Sequence, residues 1–147
     1  MTNALVPLAD VIAPNLWELA RIAGGSATDA PSAVALARKL GRPCLATSVP
    51  AGEGRIGVLL VDGGEAIFAV HRKLESVPRG TGDLLTALFA AGLIEELSPR
   101  EALARAVGGV ASAVEATEAS RATELPIAAL ADRLMRPAAK VSIETLA

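Results

Sequence analysis

Aromatic side chains are scarce in this 147-residue chain: Trp17, Phe68 and Phe89, with no tyrosine. Alanine is abundant instead, and small side chains suit helices packed closely on a sheet. A single cysteine, Cys44, excludes an intrachain disulfide. It lies in an apolar run, reads as a core filler rather than a nucleophile, and fits a reducing cytoplasm. A single histidine, His71, has no second histidine with which to bind metal, which leaves it a structural role or a peripheral ligand contact. The net charge of −2 gives no basic excess, so no face advertises nucleic acid. No apolar run reaches the ~18 residues of a membrane span, and the N-terminus lacks a charged segment followed by an apolar one. These absences leave a cytoplasmic protein with neither a nucleic-acid nor a membrane partner as the expectation.

What the chain does have centres on Pro78-Arg79-Gly80-Thr81-Gly82-Asp83-Leu84-Leu85. Two glycines one residue apart precede an aspartate and then an apolar run at helical spacing: Leu84, Leu85, Leu88, Phe89, Gly92 and Leu93. That pattern predicts a tight loop entering a helix over 84–97. Glycine lets the backbone turn its N–H groups inward, and the positive end of a helix dipole favours an anion. A carboxylate beside such an anion is repelled by it. It is better used to take a proton from a nucleophile that attacks it. The stretch therefore reads as a phosphoryl-transfer site, with Asp83 as base and Gly80, Thr81 and Gly82 as the anion hole. The competing reading is an ordinary N-capped helix start.

Several other elements are legible from patterning. Asp10–Ala13 reads as a short strand ended by Pro14. Asn15 then caps a helix over Leu16–Ile22 that Gly24-Gly25 stops. Glu18 falls three residues after the cap, so it either reaches back to the Asn15 N–H or serves a phosphate-bound cation. Thr28 or Asp29 starts a helix over Ala30–Leu40, with Ala33, Val34, Leu36, Ala37 and Leu40 inward. Cys44–Val49 reads as a buried strand with the Thr47 and Ser48 hydroxyls at its C-terminal end, where open α/β sheets bind ligands. Ile56–Val61 and Ala66–His71 read as a hairpin at the edge of the sheet. Ser98 and Glu101 have capping-box spacing before a helix over Pro99–Glu118, and Gly108-Gly109 within it marks a close crossing. A last helix over Leu125–Met135 places Ile127, Leu130 and Leu134 inward, followed by an extended tail. The fold class is α/β, a sheet layered with helices in one domain over 1–147. The strands are too few for a self-sufficient parallel sheet, so part of it is expected to precede Met1.

Three segments together carry a family resemblance: Ala-Asp-Val-Ile-Ala-Pro-Asn-Leu-Trp-Glu-Leu at 9–19, Ala-Thr-Ser at 46–48 and Gly-Thr-Gly-Asp-Leu-Leu at 80–85. In this order and spacing the chain resembles the C-terminal half of a pyridoxal kinase of the ribokinase-like superfamily. The resemblance implies ATP and Mg2+ as cofactors and pyridoxal as the acceptor, phosphorylated at its 5′-hydroxyl by way of Asp83. It also implies that Ala13, Asn15, Glu18, Thr47 and Ser48 lie along ATP, with Glu18 serving the magnesium through water. Phe68–His71 and the loop Leu74–Ser76 would line the nucleotide side. The family's missing half supplies most of the sheet, the pyridoxal pocket, its lid and part of a homodimer interface, so a chain without it would transfer phosphate poorly and self-associate. Two alternatives stand beside this. One is a hydroxymethylpyrimidine or sugar kinase of the same superfamily, although the thiamin-pathway enzymes usually carry cysteine where Asp83 stands. The other is a truncated, non-catalytic nucleotide-binding module.

Overall fold

The computed structural model describes residues 5–73, 77–120, 122–137 and 141–146. The chain is α/β and divides into two compact units, Met1–Arg72 with Ile143–Ala147, and Lys73–Ser142.

In the first unit, helix α1 (Leu16–Ala23) and helix α2 (Ala30–Lys39) precede a sheet of β1 (Cys44–Pro50), β2 (Arg55–Asp62), β3 (Glu65–Arg72) and β4 (Ser142–Leu146). The strand order is β1-β2-β3-β4, with β1–β2 and β2–β3 antiparallel. Asp62 pairs with Glu65, which leaves Gly63-Gly64 as a two-residue turn with Gly63 at φ 54°. The hairpin does not lie at the edge. Its strands are the two inner ones, because the expected extended tail pairs as β4 alongside β3. Side chains alternate across a strand, so Leu59, Val61, Ala66, Phe68 and Val70 fall in one cluster with Leu19 of α1 and Val34 and Leu36 of α2. Leu146 packs against the same cluster.

The expected strand at Asp10–Ala13 is only partly realised. Ile12 and Asn15 make isolated parallel bridges to Cys44 and Thr47. The Ile12 N–H donates to the Pro43 carbonyl at 2.9 Å, and the Leu45 N–H donates to the Ile12 carbonyl at 2.7 Å. The next donor along this segment should be residue 14, a proline with no N–H. The ladder lapses there and resumes when the Thr47 N–H donates to the Pro14 carbonyl at 2.9 Å.

In the second unit, α3 (Thr81–Ile94) and α4 (Pro99–Ser120) pack together, followed by a 3-10 turn (Ile127–Leu130) and α5 (Ala131–Met135). The expected close crossing is present. A Cβ on Gly109 would lie 2.8 Å from the Leu134 carbonyl oxygen, and one on Gly92 would lie 2.8 Å from Ala102 Cβ. Two expectations fail. Helix α3 begins at Thr81 rather than Leu84 and stops three residues early. There the Glu96 N–H bonds to Leu93 O at 3.1 Å and the Leu97 N–H to Gly92 O at 3.0 Å, with Glu96 at φ 62°. This is a Schellman ending, reached with glutamate where glycine is usual. The last helix is broken into a 3-10 turn and one short helix, and the break leaves Ile127 48% exposed while Leu130 and Leu134 are buried.

Candidate functional site

The candidate residues fall on both units, and each set is built within its own unit. In the second, Gly80 is the N-cap of α3 at φ 87°, ψ 0°, a left-handed conformation that glycine adopts without steric cost. The first helical bond runs from the Leu84 N–H to Gly80 O at 2.9 Å. Thr81, Gly82 and Asp83 are thus the first three helical residues, not a loop ahead of the helix. Their N–H groups belong to the set that an α-helix leaves without intrahelical partners.

What these amides are offered differs from the other long helices. At α1 the Asn15 side chain accepts from the Glu18 N–H, and Glu18 Oε2 accepts from the Asn15 N–H, both at 2.9 Å. At α2 Asp29 Oδ1 accepts from the Ser32 N–H at 2.9 Å. At α4 Glu101 Oε2 accepts from the Ser98 N–H at 3.0 Å, and Ser98 Oγ accepts from the Glu101 N–H at 3.3 Å. The mouth of α3 has no side-chain cap.

Gly82 deepens the contrast. It lies inside the first turn with no positive φ, and a Cβ built on it meets nothing within 4 Å. Neither backbone conformation nor packing calls for glycine there, yet glycine in a helix costs about 1 kcal/mol relative to alanine. What it does is keep the backbone bare over the open amides. Asp83 is exposed beside it. Thr86 Oγ1 donates to Gly82 O at 2.9 Å, which ties the first turn to the second.

In the first unit, the parallel bridge sets Asn15 opposite Thr47. The Thr47-Ser48 pair does not end its strand as expected. Ala46 pairs with Leu59 and Val49 with Gly57, so two β1 residues oppose one on β2: a bulge, with Ser48 exposed at φ 61°. A left-handed non-glycine residue costs on the order of 1–3 kcal/mol, and such strain gathers at functional sites. Two hollows adjoin α1. One, ≈ 410 Å³, is lined by Ala13 and Glu18, and the other, ≈ 630 Å³, by Asn15 and Ser48. Trp17 and Arg21 border both, with the Arg21 guanidinium 5.1 Å from the Trp17 ring centroid. These two residues were not singled out in the sequence. An exposed tryptophan four residues before an arginine was the available signal.

The Glu18 cap is the role its spacing suggests, and Glu18 remains exposed. Among the described residues no three His, Cys, Asp or Glu side chains gather to hold a metal. A magnesium ion here fits only the mode in which one carboxylate, water and a ligand's phosphates share it.

Other candidates are settled by burial. Cys44 is fully buried, and desolvation pushes its thiol up to about 12, so it is core rather than nucleophile. Phe68, Ala69 and Val70 are buried in the sheet and offer little surface to the nucleotide side on which the resemblance places them. His71 is half-buried, and its Nδ1 lies 2.8 Å from the Arg72 carbonyl oxygen. Leu74–Ser76 lie outside the described residues. No helix among the described residues is long and apolar enough to cross a membrane.

Residues 1–128 match the family described as Phosphomethylpyrimidine kinase. Among curated proteins, the chain is 29% identical over 154 residues to pyridoxal kinase PdxY of Corynebacterium diphtheriae, covering 100% of this chain and 54% of that one. It is 34% identical over 145 residues to pyridoxal kinase PdxY of Burkholderia pseudomallei, covering 90% and 50%. The fold is similar to that of the Leishmania donovani pyridoxal kinase in complex with ADP and pyridoxine. There the TM-score is 0.87 at 23% identity, covering 97% of this chain and 53% of that one. The chain spans about half the length of the curated relatives it matches, their C-terminal region.

Proposed function

The chain belongs to the phosphomethylpyrimidine kinase family, and from that premise we propose that it is the ATP-binding and phosphoryl-transfer portion of a pyridoxal kinase, one partial ribokinase-like domain. The observation that carries this reading is the mouth of α3, uncapped and kept bare by Gly82, with a carboxylate beside it. An anion is what such a mouth lacks, and a migrating phosphoryl group is an anion whose transfer also needs a base.

In the proposed reaction the Asp83 carboxylate accepts the proton of the pyridoxal 5′-hydroxyl. The hydroxyl oxygen forms a bond to the γ-phosphorus of ATP as the bond from that phosphorus to the β–γ bridging oxygen breaks. Pyridoxal 5′-phosphate and ADP result. The N–H groups of Gly80, Thr81 and Gly82 hold the equatorial phosphoryl oxygens, and the helix dipole adds to their field. Ala13, Asn15, Thr47 and Ser48 would border the rest of ATP, and Glu18 would serve magnesium through water. Magnesium, when bound, neutralises charge on the phosphates. Binding of ADP with pyridoxine by the Leishmania donovani enzyme supports this choice of donor and acceptor.

In-line transfer requires both substrates to be held and water excluded. Full turnover is therefore assigned to this chain together with the remaining half of its relatives' fold, in the family's homodimer. A second acceptor, a hydroxymethylpyrimidine, is favoured by the description of the matching family. The test combines this chain, the amino-terminal remainder of a relative, ATP, magnesium and one acceptor at a time, and follows pyridoxal phosphate absorbance or ADP release. Turnover of pyridoxal that disappears in Asp83→Asn supports the reading. Turnover of the pyrimidine alone replaces the acceptor. Absence of turnover with any alcohol, while ATP still protects the chain against unfolding, reduces it to a nucleotide-binding module.

A further inference from the structure

The residues assigned to ATP are short of positive charge. Glu18 and Asp83 are acidic, while Ala13, Asn15, Thr47, Ser48 and the Gly80–Gly82 turn are neutral. A triphosphate brings several negative charges, and magnesium offsets only part of them. One hollow beside α1 holds a cation that the set lacks. Among the described residues, Arg21 is the single charged residue in the lining of the ≈ 630 Å³ hollow to which Asn15 and Ser48 also belong. Arg21 is exposed, and among the described residues no carboxylate lies within ion-pair distance of it. Glu18, three residues earlier on the same helix, has the spacing for such a pair. Its Oε2 instead accepts from the Asn15 N–H at 2.9 Å. The guanidinium is left resting over Trp17, 5.1 Å from the ring centroid. At an exposed site that contact is weaker than a bidentate bond to phosphate.

The polar remainder of that lining offers donors. Asn15 Oδ1 accepts from the Glu18 N–H, which leaves the side-chain NH2 to donate elsewhere. Ser26 and Ser48 bring hydroxyls to the same lining. Ser48 is presented there by its left-handed backbone. Ser26 follows a pinned turn: the Gly25 N–H donates to Ala20 O at 2.9 Å, and a Cβ on Gly25 would lie 2.6 Å from Leu36 Cδ2 of α2. The helix dipole and the Trp17 ring account for an arginine at the end of α1. They do not account for three further donors around the same hollow. We propose that Arg21 is a phosphate-binding residue for the nucleotide. Its guanidinium leaves the Trp17 ring and pairs with phosphate oxygens of ATP, in the hollow where Asn15, Ser26 and Ser48 donate to the same group. This assignment rests on the proposed function for the identity of its ligand, and the test separates the two.

Trp17 is the only tryptophan, so its emission reports on the Arg21 contact. The experiment titrates the full chain with ATP and magnesium, and with adenosine as the ligand that lacks phosphate. Equilibrium dialysis gives the affinity, and Trp17 emission gives the location. ATP is expected to change the emission saturably as the guanidinium leaves the ring, whereas adenosine leaves it unchanged. Arg21→Gln is expected to weaken ATP about tenfold, with unchanged circular dichroism and adenosine bound as in the parent. Arg21→Lys keeps the charge and should regain part of the loss. Ser26→Ala leaves the Trp17–Arg21 contact in place and should weaken ATP about threefold. Three results overturn the proposal: ATP bound equally by the parent and Arg21→Gln; an equal loss of ATP and adenosine; or a loss confined to Arg79→Gln, which moves the cation to the residue before Gly80. ATP that fails to bind the parent chain removes the nucleotide reading, and this assignment with it. ATP bound through Arg21, without turnover of any alcohol beside the complementing half, keeps Arg21 and removes phosphoryl transfer.

Discussion

The mouths of α3 and α4 face the same physical problem and answer it in opposite ways. Each helix begins with amide groups that have no partner inside the helix. At α4, Ser98 and Glu101 satisfy two of them with their own side chains. At α3, Gly80 and Gly82 supply no side chain at all, and nothing caps the turn. A capping residue is worth about 1 kcal/mol, and so is alanine over glycine in a helix. The first turn of α3 forgoes both. The chain uses good capping chemistry at α1, α2 and α4, so its absence at α3 marks a place where local stability has yielded to something else.

The largest expected effect removes the proton acceptor from the open mouth. Asp83→Asn, assayed with the complementing half, should lower turnover on the order of 10²–10⁴-fold. Its stability should fall by no more than about 1 kcal/mol, because the exposed Asp83 caps nothing and loses only its attraction to the helix dipole. If melting falls in step with turnover, Asp83 is part of the fold and the contrast between the two mouths is lost.

Next in size are paired substitutions with opposite signs. Gly82→Ala should stabilise the chain by about 1 kcal/mol, read by urea unfolding, while weakening ATP protection as the new methyl enters the bare turn. Asn15→Ala should destabilise by about 1 kcal/mol, because it removes a working cap. A loss of stability in Gly82→Ala would mean that the glycine serves the fold.

The smallest effect is the pH response. Hydrogen bonds from Ser32 hold the Asp29 carboxyl below its usual range, and those from Ser98 do the same for Glu101. A depressed folded pKa contributes stability that is present above the ordinary carboxylate range and is lost as pH falls through the depressed value. Protection of the Ser32 and Ser98 amides, which donate to these two carboxylates, should therefore decline on acidification below that range. Both carboxylates are exposed, so the change is small and salt-sensitive.

Much of this was legible because it is local. The Asn15/Glu18 pair, the Asp29 cap and the Ser98/Glu101 pair each depend on residues three apart, and each formed as its spacing predicts. The Gly63-Gly64 turn is equally local. The departures came where distant chain segments decide. Ser48 adopts a left-handed backbone because β1 bulges against β2, and no residue near it signals a bulge. The early end of α3 carries Glu96 where glycine would have announced it. Phe68, which the resemblance alone places on the nucleotide side, is core, its ring 2.5 Å from where a Gly57 Cβ would stand.

The sequence by itself determined the starts of α1, α2 and α4 and the hairpin, and it marked Gly80–Asp83 as unusual, because capping and turn chemistry act over three or four residues. Only the tertiary structure decided that the hairpin is central, that β4 closes one side of the sheet, and that Asn15 stands opposite Thr47 while Trp17 stays in water. Those outcomes depend on which strands meet, and pairing between segments far apart in the chain follows from burial and backbone partners that no short pattern encodes.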